Sequence, residues 1–314
     1  MSERVYDYDQ SLFSRNYLNC AQRHSVVMLK RFGVSVEWLF YNSLVSTDSI
    51  LEQLVIQGTP KYDFASACLA DSDFIQVGVE RKSHFNDSFA AIKQDLLKCI
   101  ERDGFVLLAG DVYYYPHCPE YRNEHLFHLV ILTGYDESRD TWQMIDDNPA
   151  SVLCEYEYSS DEVAAFYENS DVREYRSYQR VSAHQQVSAE YFLNGYDRYF
   201  SACNDSYRLL TNIEEIIENP WLSKELSLHK LQNAFSVMIG SRTCFASYIL
   251  QQYGQSEAYH LATSASVSAE KVRGMLLRSK ITGKLNLASL NTRCMELVEL
   301  EKALIQQCQA LREL

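Results

Sequence analysis

The chain is poor in the residues that break or staple a backbone. Five prolines and eleven glycines in 314 residues exclude collagen-like and low-complexity architectures and leave room for long uninterrupted elements. No apolar run approaches the ~18 residues that would mark a membrane span. Positive charge is scarce: 29 Lys and Arg stand against 42 Asp and Glu, a net charge of −13, so a basic face for neutralising nucleic-acid phosphates is not expected. The few glycines never form a phosphate-cradling loop, which argues against nucleotide chemistry. The nine cysteines lack both the short pairings of a disulfide scaffold and the Cys-x-x-Cys spacing of structural zinc sites. They read as reduced thiols of a cytoplasmic protein. The first fifteen residues are polar and aromatic, without the positive stretch and apolar core of a secretory signal.

What is present is a folded chain: 22 tyrosines and 14 phenylalanines exclude a disordered reading. Its character changes near residue 185. Before that point, helical stretches alternate with short runs rich in β-branched and aromatic residues: Phe105–Ala109, Leu126–Thr133, Thr141–Ile145 and Ser151–Tyr158. The segment Gly134–Asp140 joins two of these runs as a hairpin would. After residue 185 nearly everything is helical, with breaks at Asn219-Pro220, Gly254 and Gly283. Two domains are therefore expected, 1–184 and 185–314. In the last helix Leu290, Leu297, Leu304 and Leu311 recur every seven residues, with Val298 and Ile305 beside them. The stripe packs on a helical bundle or forms a homodimer; Glu301 in its midst weakens the second reading.

Chemistry concentrates in three places. Asn16-Tyr-Leu-Asn-Cys-Ala-Gln-Arg-His-Ser-Val-Val-Met-Leu-Lys-Arg-Phe-Gly33 puts Cys20 at the opening of a helix, followed at helical spacing by Ala21, Ser25, Met28, Leu29 and Phe32. The unpaired amides and positive end of a helix favour a thiolate there. Glu-His-Leu-Phe-His-Leu-Val-Ile-Leu-Thr-Gly-Tyr-Asp136 puts His128 at the head of a strand, and Trp-Gln-Met-Ile-Asp-Asp-Asn-Pro149 ends a neighbouring strand on two acids. A thiolate needs a base or an ion-pair partner, and the base needs a carboxylate to fix its tautomer. Strand alternation places Asp146 on the face of Trp142 and Met144; an early strand end would select Asp147 instead. Taken singly, each of these residues has a plainer role: a buried hydrophobe, a satisfied core histidine, an Asx-Pro turn.

The order Cys20, His128, Asp146, with the cysteine on a helix and the others on successive strands, is the arrangement of papain-like cysteine enzymes. Together with the Asp-x-Tyr-Tyr-x-Pro lead at Asp111–Pro116, these segments resemble the butirosin biosynthesis protein H family, related to the peptidase C39 and transglutaminase-like groups. The resemblance covers about the first half of the chain. It implies an α+β protein: a papain-like core, with the cysteine helix set against an antiparallel sheet carrying His and Asp, followed by a C-terminal helical domain. It also implies acyl transfer in natural-product biosynthesis, from a carrier-protein thioester through acyl-Cys20 to an amine. No metal or cofactor is then required beyond the phosphopantetheine arm that presents the substrate. The sequence departs from the family in the residues flanking Cys20, and no glutamine stands six residues before it. The oxyanion donors would be the Cys20 amide with Asn19 or Asn16.

Asp111, Tyr113 and Tyr115 are candidate substrate contacts, since dense tyrosines offer ring area and hydroxyls to a cleft. Lys271, Arg273, Arg278 and Lys280 begin a stretch without acids that would dock an acidic carrier protein; a solvated helix face is the alternative. Three other readings compete: a cytoplasmic cysteine peptidase or amidase, a non-catalytic relative that binds a carrier protein, and a zinc site formed by His117, Cys118, His125 and His128.

Overall fold

The computed structural model describes residues 4–8, 17–181 and 187–313. Its strands are β1 (Arg4–Val5), β2 (Val79–Phe85), β3 (Val106–Asp111), β4 (Phe127–Asp136), β5 (Thr141–Asp147), β6 (Leu153–Ser159) and β7 (Glu174–Arg180). Its helices are α1 (Cys20–Arg31), α2 (Thr47–Ile50), α3 (Asp71–Gln76), α4 (Phe89–Asp103), α5 (Ser160–Glu168), α6 (Ala189–Ala202), α7 (Arg208–Thr211), α8 (Ile213–Ile217), α9 (Lys224–Tyr253), α10 (Glu257–Thr282) and α11 (Leu287–Ala310). The chain divides into two compact units.

The first unit holds all seven strands in one sheet, ordered β1-β6-β5-β4-β3-β7-β2, with every neighbouring pair antiparallel. The protein is thus α+β with an antiparallel sheet and a C-terminal helical region. The four apolar runs of the sequence become β3 to β6, shifted by one to three residues at their ends. β4 does not stop at Gly134 but continues to Asp136, its register against β5 shifting between Leu132 and Gly134, so the hairpin loop is only 137–140.

β3 is buried along its whole length. α4 and α5 supply Phe89, Ile92, Leu96, Val163, Phe166 and Tyr167 to a core shared with Val106, Leu108, Val130, Leu132, Trp142 and Met144 of the sheet. α1 also packs against β3 and β4. Gly110 of β3 stands opposite His128 of β4, and a Cβ there would lie 2.1 Å from a Phe166 ring carbon. Only glycine lets α5 press this closely on the strand beside His128.

Three strands were not expected from the sequence. β2 and β7, Val-Glu-Arg-Lys-Ser-His-Phe and Glu-Tyr-Arg-Ser-Tyr-Gln-Arg, pair along seven residues yet carry too much charge to show an apolar pattern. β7 nonetheless lies inside the sheet, burying Tyr175 and Tyr178. Its buried Glu174 is held by Arg176 at 2.7 Å on the same strand.

The second unit contains the helices from Ser188 onward and also Glu37–Leu69, a segment the change in sequence character had grouped with the strands. Hydrogen bonds tie it there. Asp205 accepts from the Thr47 amide at 2.6 Å and hydroxyl at 2.9 Å, Ser241 donates to the Ser43 carbonyl at 2.6 Å, and Lys230 donates to the Val55 carbonyl at 2.7 Å. α9 and α10 end at Gly254 and Gly283, both with positive φ; Gly283 takes the left-handed conformation that a helix C-terminus favours. Leu290, Leu297 and Leu304 are fully buried within this single chain. These three leucines therefore pack within the bundle, while Ile305 and Leu311 are half-buried. Glu301 interrupts the stripe because it is the buried partner of Arg242. Among the described residues, no helix is long and apolar enough to cross a membrane.

Candidate active site

Cys20 is the first residue of α1, where helix amides lack intrahelical partners and the dipole favours negative charge. Helix α1 forms because Val26, Val27, Met28 and Leu29 bury against the sheet while Lys30 and Arg31 close its last turn. Seven of the nine cysteines are buried; Cys20 and Cys203 are half-buried. Burial pushes the Cys20 thiol up, but a hydrogen bond and charge from His128, helped by Arg23 and the Leu129 backbone, bring it below the ordinary thiol range. Burial instead raises Cys99, Cys203, Cys294 and Cys308, the last two to about 12.

His128 lies near the start of β4, and its Nε2 meets both oxygens of Asp146, at 2.8 and 2.9 Å. Asp146, 1% exposed, would be raised by burial, yet His128 and His117 hold it well below the usual carboxylate range. The ionised carboxylate can only accept, so His128 Nε2 carries the proton and Nδ1 is left for Cys20. Burial opposes the charged imidazole, but Asp146 and Cys20 outweigh it and raise His128 well above its usual value. A lowered thiol beside a raised imidazole is the signature of a thiolate–imidazolium pair.

The alternative acid has another partner. Asp147 meets Arg23 at 3.3 Å, both side chains 5% exposed, while its backbone N–H donates to Asp146 Oδ1 at 2.8 Å. Cys20, His128 and Asp146 come together as the sequence order suggested.

No family model matches the chain. Among curated proteins it is similar to a ribostamycin:4-(gamma-L-glutamylamino)-(S)-2-hydroxybutanoyl-[BtrI acyl-carrier protein] 4-(gamma-L-glutamylamino)-(S)-2-hydroxybutanoate transferase of Niallia circulans. The two are 25% identical over 135 residues, 43% of this chain and 45% of the relative. The chain resembles the butirosin biosynthesis protein H type. It spans less than half of that relative's length.

Three further residues gather around Asp146: His117, which the sequence offered only as a zinc ligand, and two that were not anticipated. His117 Nε2 meets Asp146 Oδ2 at 2.9 Å. His24, one helical turn after Cys20, is fully buried and, among the described residues, neither ring nitrogen has a hydrogen-bond partner. It stands 3.6 Å from Asp146 Oδ1 and edge-on to the His128 ring, centroids 5.9 Å apart. Burial, reinforced by Arg23 and His128 and opposed by the two aspartates, pushes it down to about 4. Arg23 is the third. The spacing of Cys20 and His24, four apart on one helix, was the available signal; His117 had none, lying in a loop 29 residues from Asp146.

The other sequence candidates lie as follows. Asn19 precedes α1 and is half-buried; Asn16 lies outside the described residues. Asp111 is buried, accepting from the Tyr113 amide at 3.0 Å and meeting His125 at 2.6 Å. Tyr113 stacks on His125, centroids 4.2 Å apart. Tyr115 is 0% exposed and stacks on Phe166 at 3.8 Å; it belongs to the core and has no face for a substrate. On α10, Lys271, Arg278 and Lys280 are exposed, whereas Arg273 is half-buried against Ser236 and Glu270.

The four-residue zinc set is not gathered, since His125 goes to Asp111. The described residues offer instead His117, Cys118 and Asp146, and His24, Asp146 and Asp147, each with ligand atoms within 4.8 Å. Neither fits a cation well. Both oxygens of Asp146 already accept two donors each. Burial and the nearby acids raise the Cys118 thiol, keeping it protonated, and the Arg23 guanidinium occupies Asp147.

Proposed function

We propose that this protein is a cysteine-dependent acyltransferase of natural-product biosynthesis, with Cys20 as nucleophile, His128 as base and Asp146 as its orienting carboxylate in a papain-like core. The observation that carries the reading is a helix-opening cysteine whose thiol bonds to a histidine held at 2.8 Å by a buried carboxylate.

The Cys20 thiolate attacks the carbonyl of an acyl thioester presented on a carrier protein's phosphopantetheine arm. The pantetheine thiol leaves with the proton held by His128, and the acyl group stays on Cys20 as a new thioester. An amine then attacks, His128 takes its proton, the C–N bond forms and Cys20 leaves as thiolate. Thioester exchange is nearly isoenergetic and amide formation is downhill, so neither ATP nor a cofactor is needed. The Cys20 amide at the helix start serves the oxyanion, with Asn19 or Asn16 as second donor. The relative's name supplies a donor and an acceptor, a hydroxybutanoyl group on an acyl-carrier protein and ribostamycin. Lys271, Arg278 and Lys280 on α10 provide exposed positive charge for the acidic carrier.

Incubation with an acyl-pantetheine thioester tests this directly. The Cys20 peptide should gain the acyl mass in the wild type and not in Cys20→Ala, and an added amine should discharge it as an amide. Discharge to free acid alone would favour the hydrolase reading. Absence of any adduct on Cys20 would sink the covalent mechanism.

A further inference from the structure

We infer that His117 is a positioning residue of the same centre: the second histidine on Asp146, pinning the carboxylate so that it can hold His128. The inference rests on reading Cys20 and His128 as the reacting pair.

Among the described residues His128 pairs with one acid, Asp146, and the two donors flanking His128 on it are unlike. Oδ1 takes the Asp147 amide, which is fixed by the backbone. Oδ2 takes the His117 ring at 2.9 Å, contributed by a residue far away in sequence. Between them they block rotation of the carboxylate about its Cβ–Cγ bond, and His128 Nε2 sits in the middle with 2.8 and 2.9 Å to the two oxygens. Removing His117 leaves Oδ2 one donor short on a carboxylate that is 1% exposed. The carboxylate is then free to turn away from His128.

His117 is itself held. Its side chain is 3% exposed, and its ring stacks on Tyr156, centroids 4.1 Å apart and 22° from parallel. Because the Asp146 carboxylate only accepts, His117 Nε2 carries hydrogen, and Nδ1 can accept from the Tyr158 hydroxyl at 2.7 Å. The result is a connected row from Tyr158 through His117, Asp146 and His128 to Cys20. Tyr158 is 1% exposed on β6, so the row is anchored in the core of the sheet. The other ionisable groups facing the carboxylate are His24 and Arg23 from α1 and Asp147 from β5; Cys118 is 3.5 Å from His117 Nε2.

The test follows the rate of Cys20 alkylation by limiting iodoacetamide from pH 5 to 9, read peptide by peptide, alongside Tm. His117→Phe keeps a ring against Tyr156 but removes the donor. The midpoint of its Cys20 profile should rise by about one pH unit, a tenfold slower reaction near pH 6. His117→Gln, whose amide can donate to Oδ2, should recover most of that. Tyr158→Phe removes one hydroxyl and should shift the midpoint the same way by less, covering the case where His117→Phe does not fold. A purely packing role for His117 would lower Tm and leave the midpoint alone. Wild-type midpoints in both His117→Phe and Tyr158→Phe, with His128→Ala displaced, would overturn the inference while sparing the reading beneath it. A wild-type midpoint in His128→Ala would overturn both.

Discussion

Each of the two units buries charge, and they do so in opposite ways. In the helical unit Arg242 of α9 and Glu301 of α11, both nearly inaccessible, meet as a parallel fork at 2.9 and 2.8 Å. The third nitrogen, Nη1, donates to the Val45 carbonyl at 2.7 Å and to Ser241 Oγ at 3.1 Å. Charge and geometry are matched, and nothing there is left to react. Around Asp146 in the sheet unit, one carboxylate serves two histidines, a third histidine has neither nitrogen bonded among the described residues, and a half-buried thiol faces the set. Matched burial fixes a structure, whereas unevenly matched burial moves pKa values, and shifted pKa values make reactive groups.

The comparison can be broken at its reactive end first. His128→Ala should slow acyl-Cys20 formation by about 10²- to 10⁴-fold, the usual contribution of a general base; single-turnover acylation measures it. At the matched end the effect should appear as stability. Glu301→Gln leaves the Arg242 charge buried with its fork broken, and urea melts should show a loss of about 3–5 kcal/mol. Replacing both residues with apolar ones of similar volume should cost much less.

His24 sharpens the contrast through pH. Its folded value of about 4 lies below the ordinary 6.5, so between those values the unfolded chain binds a proton that the folded chain refuses. Stability is therefore lost as pH falls from 6.5 towards 4, by up to ~3 kcal/mol. Asp146, held low, adds its own loss only below the ordinary carboxylate value of 3.8. In His24→Asn the acid limb of a Tm-against-pH curve should flatten between pH 6.5 and 4 while the lower limb persists. The smallest effect belongs to the surface. Lys271→Glu with Lys280→Glu should raise KM for a carrier-bound donor a few-fold at low salt, with the difference closing as salt is added. A pantetheine donor without its carrier should not distinguish the variants.

What could be read in advance depended on whether a residue's place was local. Cys20 opens a helix, His128 begins a strand and Asp146 ends one, and each of those positions leaves a mark in apolar periodicity. Even the choice of Asp146 over Asp147 followed from strand alternation. His117 left none, because it reaches Asp146 from a loop whose path is set by tertiary packing on Tyr156 and Tyr158. β2 and β7 escaped notice for a related reason: charges pair along each strand, so polar sequence hides the edge strand β2 and the interior strand β7 alike. Tyr115 misled in the reverse direction, since an aromatic cluster beside a reactive histidine suits a core as well as a cleft.

The uneven exposure of the cysteines has a practical outcome. A chemist adding one equivalent of a mild electrophile meets eight thiols that are either enclosed or, in the case of Cys203, raised by burial beside Asp205. The ninth, Cys20, is half-buried and acidified by His128. Uptake of label then counts molecules in which that pair is assembled, and the same bond offers a handle for attaching a probe at a known address.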